Sequence, residues 1–242
     1  MGISSGDGPA SSVEGEPSLQ RRPVSPSETP ANQLIAPGHR VGPVVGVLGW
    51  ILVLVGFSVH GFPAEGASGE AIVSWTKAMS SSRWAIGMNV ELLGFLLEFV
   101  FYAWLCDGLR RTKAAGWLLA VGFGAIVMWV GAIFIAAGFW TAMLNAGKRG
   151  LSPEPLSALQ DIAQETFYVT TVFDGVALLA INWAAVQSRA LPAWLGWAGL
   201  LIGAGMIIPN ATIAQGAEAL VVLWSVSLAG LFLIRPGQHR FT

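Results

Sequence analysis

The chain contains six apolar stretches, each of about the length that crosses a lipid bilayer. They lie at about residues 43–62, 84–108, 116–139, 164–187, 192–210 and 216–234, and a helix needs roughly 20 apolar residues for one crossing. In hydrocarbon every backbone N–H and C=O group must be bonded within the protein, so such stretches form helices. We therefore predict an all-α polytopic membrane bundle of six transmembrane helices, with the lipid bilayer as its surroundings.

The sequence on either side of this bundle differs in composition. Residues 1–40 are rich in Ser, Pro, Gly and Glu. They bury too little apolar surface to fold, which predicts a disordered tail. The transmembrane domain is predicted to cover residues 41–236, and residues 237–242 to form a short C-terminal segment.

Composition and motifs argue against several classes of function. A formal net charge of −1 offers no basic surface for nucleic acid. The single cysteine, Cys106, rules out an intramolecular disulfide and a cysteine-based metal cluster. The sequence has no H-E-x-x-H, G-x-S-x-G or phosphate-binding loop motif. We therefore expect no enzymatic activity, no cofactor and no bound metal.

The distribution of Lys and Arg predicts the orientation in the membrane. Nine of these residues lie in the tail, the short second and fourth connections and the C-terminus: Arg21, Arg22, Arg40, Arg110, Arg111, Lys113, Arg189, Arg235 and Arg240. Four lie in the two longer connections: Lys77, Arg83, Lys148 and Arg149. Basic residues accumulate on the cytoplasmic side. We predict a multi-pass protein of the bacterial inner (plasma) membrane with both termini in the cytoplasm.

The two longer connections, residues 63–83 and 140–163, are predicted to contain short helices on the outer side. One covers residues 69–79. The other begins after Ser152, a plausible N-cap, with Pro153 at its first position. These helices either lie on the membrane or extend the following spans outward.

Glycine spacing predicts how the spans pack. Stripes of small residues occur in the first, third and fifth spans: Gly42, Gly49 and Gly56; Gly124, Gly131 and Gly138; Gly199 and Gly203. Such stripes let helices approach closely and predict a compact bundle. The same glycine-rich faces also allow copies of the chain to associate into a homo-oligomer.

Acidic residues inside the spans are the strongest functional signal. The second span carries Glu91 and Glu98, seven residues apart and hence on one helix face about 10 Å apart. Asp174 lies in the fourth span and Glu218 near the start of the sixth. No Lys or Arg lies deep in any span. An acid in this position faces the bundle interior, is protonated, or contacts water.

These acids predict an outward-opening polar pocket that binds a cation or relays protons. Its members are His60, Glu91, Asp174 and Glu218, with Glu98 as the floor and four polar groups in support: Tyr102, Thr170, Thr171 and Asn210. The alternative is that protonated carboxyl and hydroxyl groups only make interhelical hydrogen bonds, each worth about 1 kcal/mol. Sequence alone leaves both interpretations open.

Three stretches resemble a group of small six-span bacterial, especially actinobacterial, membrane proteins of a domain-of-unknown-function type. They are an E-x-x-G-F-L motif at Glu91 to Leu96, a basic turn followed by Gly-Trp-Leu between Leu109 and Leu118, and L-P-x-W-L-G-W at Leu191 to Trp197. The resemblance implies no established catalytic or ligand-binding residue. The sequence therefore predicts a membrane protein of unassigned function, either a small proton- or cation-coupled carrier or a non-catalytic structural or regulatory protein that binds partners through its helices or tail.

Overall fold

The computed structural model describes residues 41–112, 114, 116–208 and 211–234, without the side chains of 211–215 and 218. Within these residues the chain forms seven helices and no strand: α1 (Val41–His60), α2 (Gly69–Ala78), α3 (Ser81–Arg110), α4 (Gly116–Lys148), α5 (Pro153–Ser188), α6 (Ala193–Ile207) and α7 (Ala211–Ile234). The predicted tail, residues 1–40, and C-terminal segment, residues 237–242, lie outside the described residues.

Four of these helices, α1, α3, α4 and α5, are long and apolar enough to cross a membrane. Two shorter apolar helices, Ala193–Ile207 and Ala219–Ile234, could add two more crossings. The all-helical fold is thus confirmed, its four long apolar helices suit a membrane protein, and the number of six spans stays a prediction.

Serine residues begin two of the helices as N-caps. The Ser68 hydroxyl accepts a hydrogen bond from the Ala71 amide at the start of α2, and the Ser80 hydroxyl accepts one from the Arg83 amide at the start of α3. The helix predicted at residues 69–79 is confirmed as α2. The helix predicted after Ser152 does not stand alone, since α5 runs without a break from Pro153 to Ser188. It therefore extends the following span, which was one of the two alternatives.

The helix α4 is longer than predicted and ends at Lys148 instead of residue 139. Burial stabilises the added turns, because Trp140, Met143 and Leu144 pack with Ile72 of α2 and Leu156 of α5 in an apolar cluster. We call this end of the bundle, where α1 ends and α3 begins, the His60 end.

The pairs α1 with α3 and α5 with α6 are antiparallel and closely packed. Gly56 of α1 adjoins Glu91 of α3, and Gly175 of α5 adjoins Gly203 of α6. The glycine stripes of α1 and α6, in the first and fifth predicted spans, therefore make the helix contacts that were predicted. The stripe of α4, in the third predicted span, differs. A Cβ added at Gly124, Gly131 or Gly138 would meet nothing within 4 Å among the described atoms, and all three glycines are exposed. They leave α4 with a smooth outer face and do not hold the bundle together.

Candidate functional site

The interface between α1 and α3 positions Glu91 and Glu98, the two acidic residues of the second predicted span. A Cβ added at Gly56 would lie 2.6 Å from Cβ and the backbone N of Glu91, and one added at Gly49 would lie 2.6 Å from Oε1 of Glu98. A side chain at either position would have to displace the acid that faces it. The heptad spacing of these glycines matches that of the acids, so each acid on α3 faces a glycine on α1.

His60 and Glu91 form a direct hydrogen-bonded pair at the His60 end. Nε2 of His60 contacts Oε2 of Glu91, and His60 is 0% and Glu91 4% exposed. Nδ1 of His60 lies 3.2 Å from the carbonyl oxygen of Gly61. A carbonyl can only accept, so in the tautomer that makes both contacts Nδ1 donates to Gly61 and one proton lies between Nε2 and Oε2. The pair is therefore neutral overall whichever partner holds that proton.

Aromatic rings enclose this pair. The ring of His60 lies 4.6 Å from that of Phe62 and 5.0 Å from that of Trp84, measured between centroids. Phe62 in turn contacts Trp140 at 4.7 Å. This packing excludes water from the imidazole and holds its orientation toward Glu91.

Glu98 has a different environment. It is 0% exposed, and neither of its carboxyl oxygens has a hydrogen-bond partner within the described part of the chain. The backbone and indole N–H groups of Trp50 on α1 lie near enough to favour the charged form of Glu98, but the indole N–H does not reach good hydrogen-bond geometry with it. A buried polar group without a partner typically costs about 1–3 kcal/mol, so this arrangement is expensive as a purely structural feature.

Asp174 of α5 lies near Glu98. It is 2% exposed and close enough to interact electrostatically with both Glu98 and Tyr102. Tyr102 is also fully buried, and its hydroxyl lies 3.3 Å from the Ser225 hydroxyl of α7. Four helices, α1, α3, α5 and α7, thus contribute polar groups to one buried region around Glu98, which we call the Glu98 cluster (Trp50, Glu98, Tyr102, Asp174 and Ser225).

The two threonines predicted to support Asp174 bond mainly to backbone. The Thr170 hydroxyl donates to the Phe167 carbonyl at 2.6 Å, and the Thr171 hydroxyl donates to the Tyr168 carbonyl at 2.7 Å. Thr171 also lies 3.5 Å from the Met206 carbonyl of α6. Their hydroxyls are therefore satisfied within or between helices.

The predicted site residues fall into two groups in the structure, His60 with Glu91 and Glu98 with Asp174 and Tyr102. Asn210 and the side chain of Glu218 lie outside the described residues. No group of three or more His, Cys, Asp or Glu side chains suited to a metal ion occurs where the structure describes the chain.

Sequence reasoning missed Trp50 and Ser225. A signal for Trp50 existed, because tryptophans in membrane proteins concentrate at the interfaces and this one lies in the middle of its span. Ser225 carried no comparable signal, since a single hydroxyl in an apolar helix is common.

A cavity of about 440 Å³ lies at the His60 end, lined by residues of α1, α3, α4, α5, α7 and the connection after α1. Nearly half of its lining residues are aromatic, namely Trp50, Phe57, Phe62, Phe95, Trp140 and Phe167, and the one charged residue among the described lining is Glu65. The connection that carries Glu65 is fixed to α5 by two hydrogen bonds, from Gln160 Nε2 to the Ala64 carbonyl at 2.9 Å and from the Tyr168 hydroxyl to Glu65 at 2.5 Å. Trp50 belongs to both the cavity wall and the Glu98 cluster.

A helical membrane protein with acidic residues buried between its helices is the class that this fold and site define. Residues 41–235 match the model of a family described as a domain of unknown function, DUF4386, and the chain belongs to that family. This match agrees with the resemblance to proteins of a domain-of-unknown-function type, and it carries no information on their number of spans or source. No curated protein and no solved structure matches the chain.

Proposed function

We propose that the protein is a small proton- or cation-coupled carrier in which Glu98 takes up and releases the coupling ion. The observation that carries this proposal is the state of Glu98, which is fully buried and has no hydrogen-bond partner for either oxygen among the described residues. A carboxyl group that served only to join helices would accept a well-formed hydrogen bond from a neighbouring helix, whereas Trp50 of α1 approaches Glu98 without reaching that geometry.

The surroundings of Glu98 support exchange of a small cation. An isolated carboxylate is costly to keep inside a membrane protein, so the group binds a proton or another cation there. Asp174 lies close by as a second acceptor, and no Lys or Arg in the sequence lies deep in a span to neutralise either acid permanently. Uptake of a proton or another small cation balances the charge of Glu98, and release of that ion would make the exchange that a carrier needs.

The orientation is part of the proposal. Both termini lie in the cytoplasm of a bacterial inner membrane, six helices cross it, and the protein is neither an enzyme nor dependent on a cofactor. The nine-to-four distribution of Lys and Arg supports this orientation.

In a Cys106→Ser background, an impermeant thiol reagent added to intact cells should label Lys148→Cys and not Arg240→Cys. Labelling at position 240 would reverse the orientation.

Proton flux into vesicles tests the carrier function. Purified protein is reconstituted into liposomes that contain a pH-sensitive dye, and an inward proton gradient is applied. Glu98→Gln should remove the flux, because an amide has the shape of the carboxyl group but does not titrate. Asp107→Asn is the matched control, since Asp107 is an exposed acid on the same helix paired with Arg111, and it should transport as wild type does. Equal flux in wild type and Glu98→Gln would refute the proposal.

A structural or regulatory role is the second candidate. The His60–Glu91 pair and the Tyr102–Ser225 contact both join different helices, as buried polar groups do in bundles without transport activity. Absence of proton or cation flux in the wild type, together with a stable fold, would favour this candidate.

A further inference from the structure

We propose that the aromatic-lined cavity at the His60 end binds a lipophilic organic cation, such as a quaternary ammonium or phosphonium group carrying aryl or alkyl substituents. This deepens the proposed carrier function, on which its biological meaning rests, by naming the chemical class of the substrate. The cavity itself is observed independently of that function.

The lining selects for positive charge. The π faces of Trp, Tyr and Phe attract a cation placed within about 6 Å of the ring centre, and six aromatic residues line this cavity. Among the described lining residues the one charged side chain, Glu65, is negative, and none is Lys, Arg or His. An anion of equal size would meet the same rings and an unfavourable charge.

The access route selects for apolar bulk. Leu54, which lines the cavity, is 56% exposed on the flank of α1. Glu65 lies in the connection between α1 and α2, beyond the apolar spans. An amphipathic cation fits these two features because its apolar body enters from the lipid side at Leu54 while its charge lies toward Glu65. A volume of about 440 Å³ falls within the roughly 300–1,000 Å³ of small-molecule sites.

The cavity also adjoins the proposed coupling site. Trp50 forms part of its wall and lies beside Glu98. The cavity wall and the surroundings of Glu98 thus share Trp50. A substrate in the cavity and an ion at Glu98 would both act on this residue.

Equilibrium binding with two probes of one shape and opposite charge tests the proposal. Radiolabelled tetraphenylphosphonium and tetraphenylborate are titrated against the full chain in lipid nanodiscs, with empty nanodiscs subtracted. We expect saturable binding of the phosphonium and no saturable binding of the borate. Equal binding of both probes would show an apolar cavity that binds lipid chains without selecting for charge. Binding of neither probe would show that the cavity is not a ligand site. Either result overturns the proposal.

Two pairs of variants locate the binding in this cavity. Phe167→Leu keeps apolar bulk and removes a ring, and should weaken phosphonium binding by about threefold to tenfold. Phe173→Leu, on the same helix and outside the lining, should bind as wild type does. Glu65→Gln should weaken binding, whereas Glu70→Gln, an exposed acid at the same end of the bundle, should not. Equal effects within either pair would place the binding elsewhere, and melting in detergent checks that each variant is folded.

The outcome is separable from that of the carrier function. Saturable phosphonium binding without Glu98-dependent proton flux would leave the cation site standing and remove the carrier proposal. Glu98-dependent proton flux without phosphonium binding would do the reverse.

Discussion

Glu91 and Glu98 are nearly equivalent in sequence and differ sharply in their surroundings. Both lie on one face of α3, two helical turns apart, and each faces a glycine of α1. Glu91 shares a proton with His60 inside an aromatic cluster. Glu98 has no hydrogen-bond partner among the described residues and lies near a second acid, Asp174.

This difference separates two uses of a buried carboxyl group. The His60–Glu91 pair is neutral as a unit and needs no further ion, which suits a structural contact between α1 and α3. Glu98 needs an added proton or cation to become neutral, which suits exchange. Free energies of unfolding, measured in mixed detergent micelles, test this division.

The largest effect is expected from breaking the His60–Glu91 pair. His60→Ala leaves a buried carboxyl group without its partner, and the loss of one member of a buried pair typically costs about 3–5 kcal/mol. Glu91→Gln keeps a hydrogen-bonding group and should cost less, about 1.5–3 kcal/mol, because the hydrogen bond loses its charged character. The double variant His60→Ala/Glu91→Ala should lose less stability than the sum of the losses in His60→Ala and Glu91→Ala. Strict additivity would mean that the two residues do not interact in solution.

A smaller effect is expected from the glycine that faces Glu91. Gly56→Ala places a methyl group 2.6 Å from the Glu91 backbone, which cannot move aside as a flexible side chain would, so overpacking should cost about 1–3 kcal/mol. Gly131→Ala is the control, because its methyl group meets nothing within 4 Å among the described atoms, and the higher helix propensity of Ala should leave it as stable as wild type or up to about 1 kcal/mol more stable. Comparable losses in both variants would show that the outer face of α4 is also packed against something.

These glycines show where sequence reasoning succeeded and where it stopped. Heptad spacing correctly predicted close packing for Gly49 and Gly56, because the partner acids on α3 repeat with the same period. The same spacing at Gly124, Gly131 and Gly138 predicted packing that the described bundle does not contain. A periodic stripe identifies a smooth helix face, but it holds no information about what that face meets.

The site was predictable to a similar degree. Helix periodicity and the cost of burying charge placed Glu91, Glu98 and Asp174 inside the bundle, and all three are buried there. Which acid pairs with which group depends on contacts between distant helices, such as Tyr102 with Ser225, separated by 123 positions. Such long-range pairing is set by the packing of the whole bundle and leaves no local pattern.

A weak effect is expected at the edge of the Glu98 cluster. Tyr102→Phe removes the hydroxyl that lies 3.3 Å from Ser225, and interhelical hydrogen bonds of this kind contribute about 0.6 kcal/mol on average. Ser225→Ala should cost about the same, and the double variant should cost little more than either one. A loss above about 2 kcal/mol in Tyr102→Phe would show that the hydroxyl also holds Glu98 in place.

The smallest change in stability is expected at Glu98 itself, and it gives the sharpest contrast with Glu91. Glu98→Gln has nearly the same volume, and neither oxygen of Glu98 has a hydrogen bond to lose among the described residues. It also removes an acid that lies near Asp174. The free energy of unfolding should therefore change by less than about 0.5 kcal/mol, well below the loss expected for Glu91→Gln at the equivalent position two turns earlier. Unfolding both variants side by side at one pH measures the difference directly. If Glu98→Gln destabilised the protein as much as Glu91→Gln does, Glu98 would also be a structural contact, and the division between the two acids would not hold.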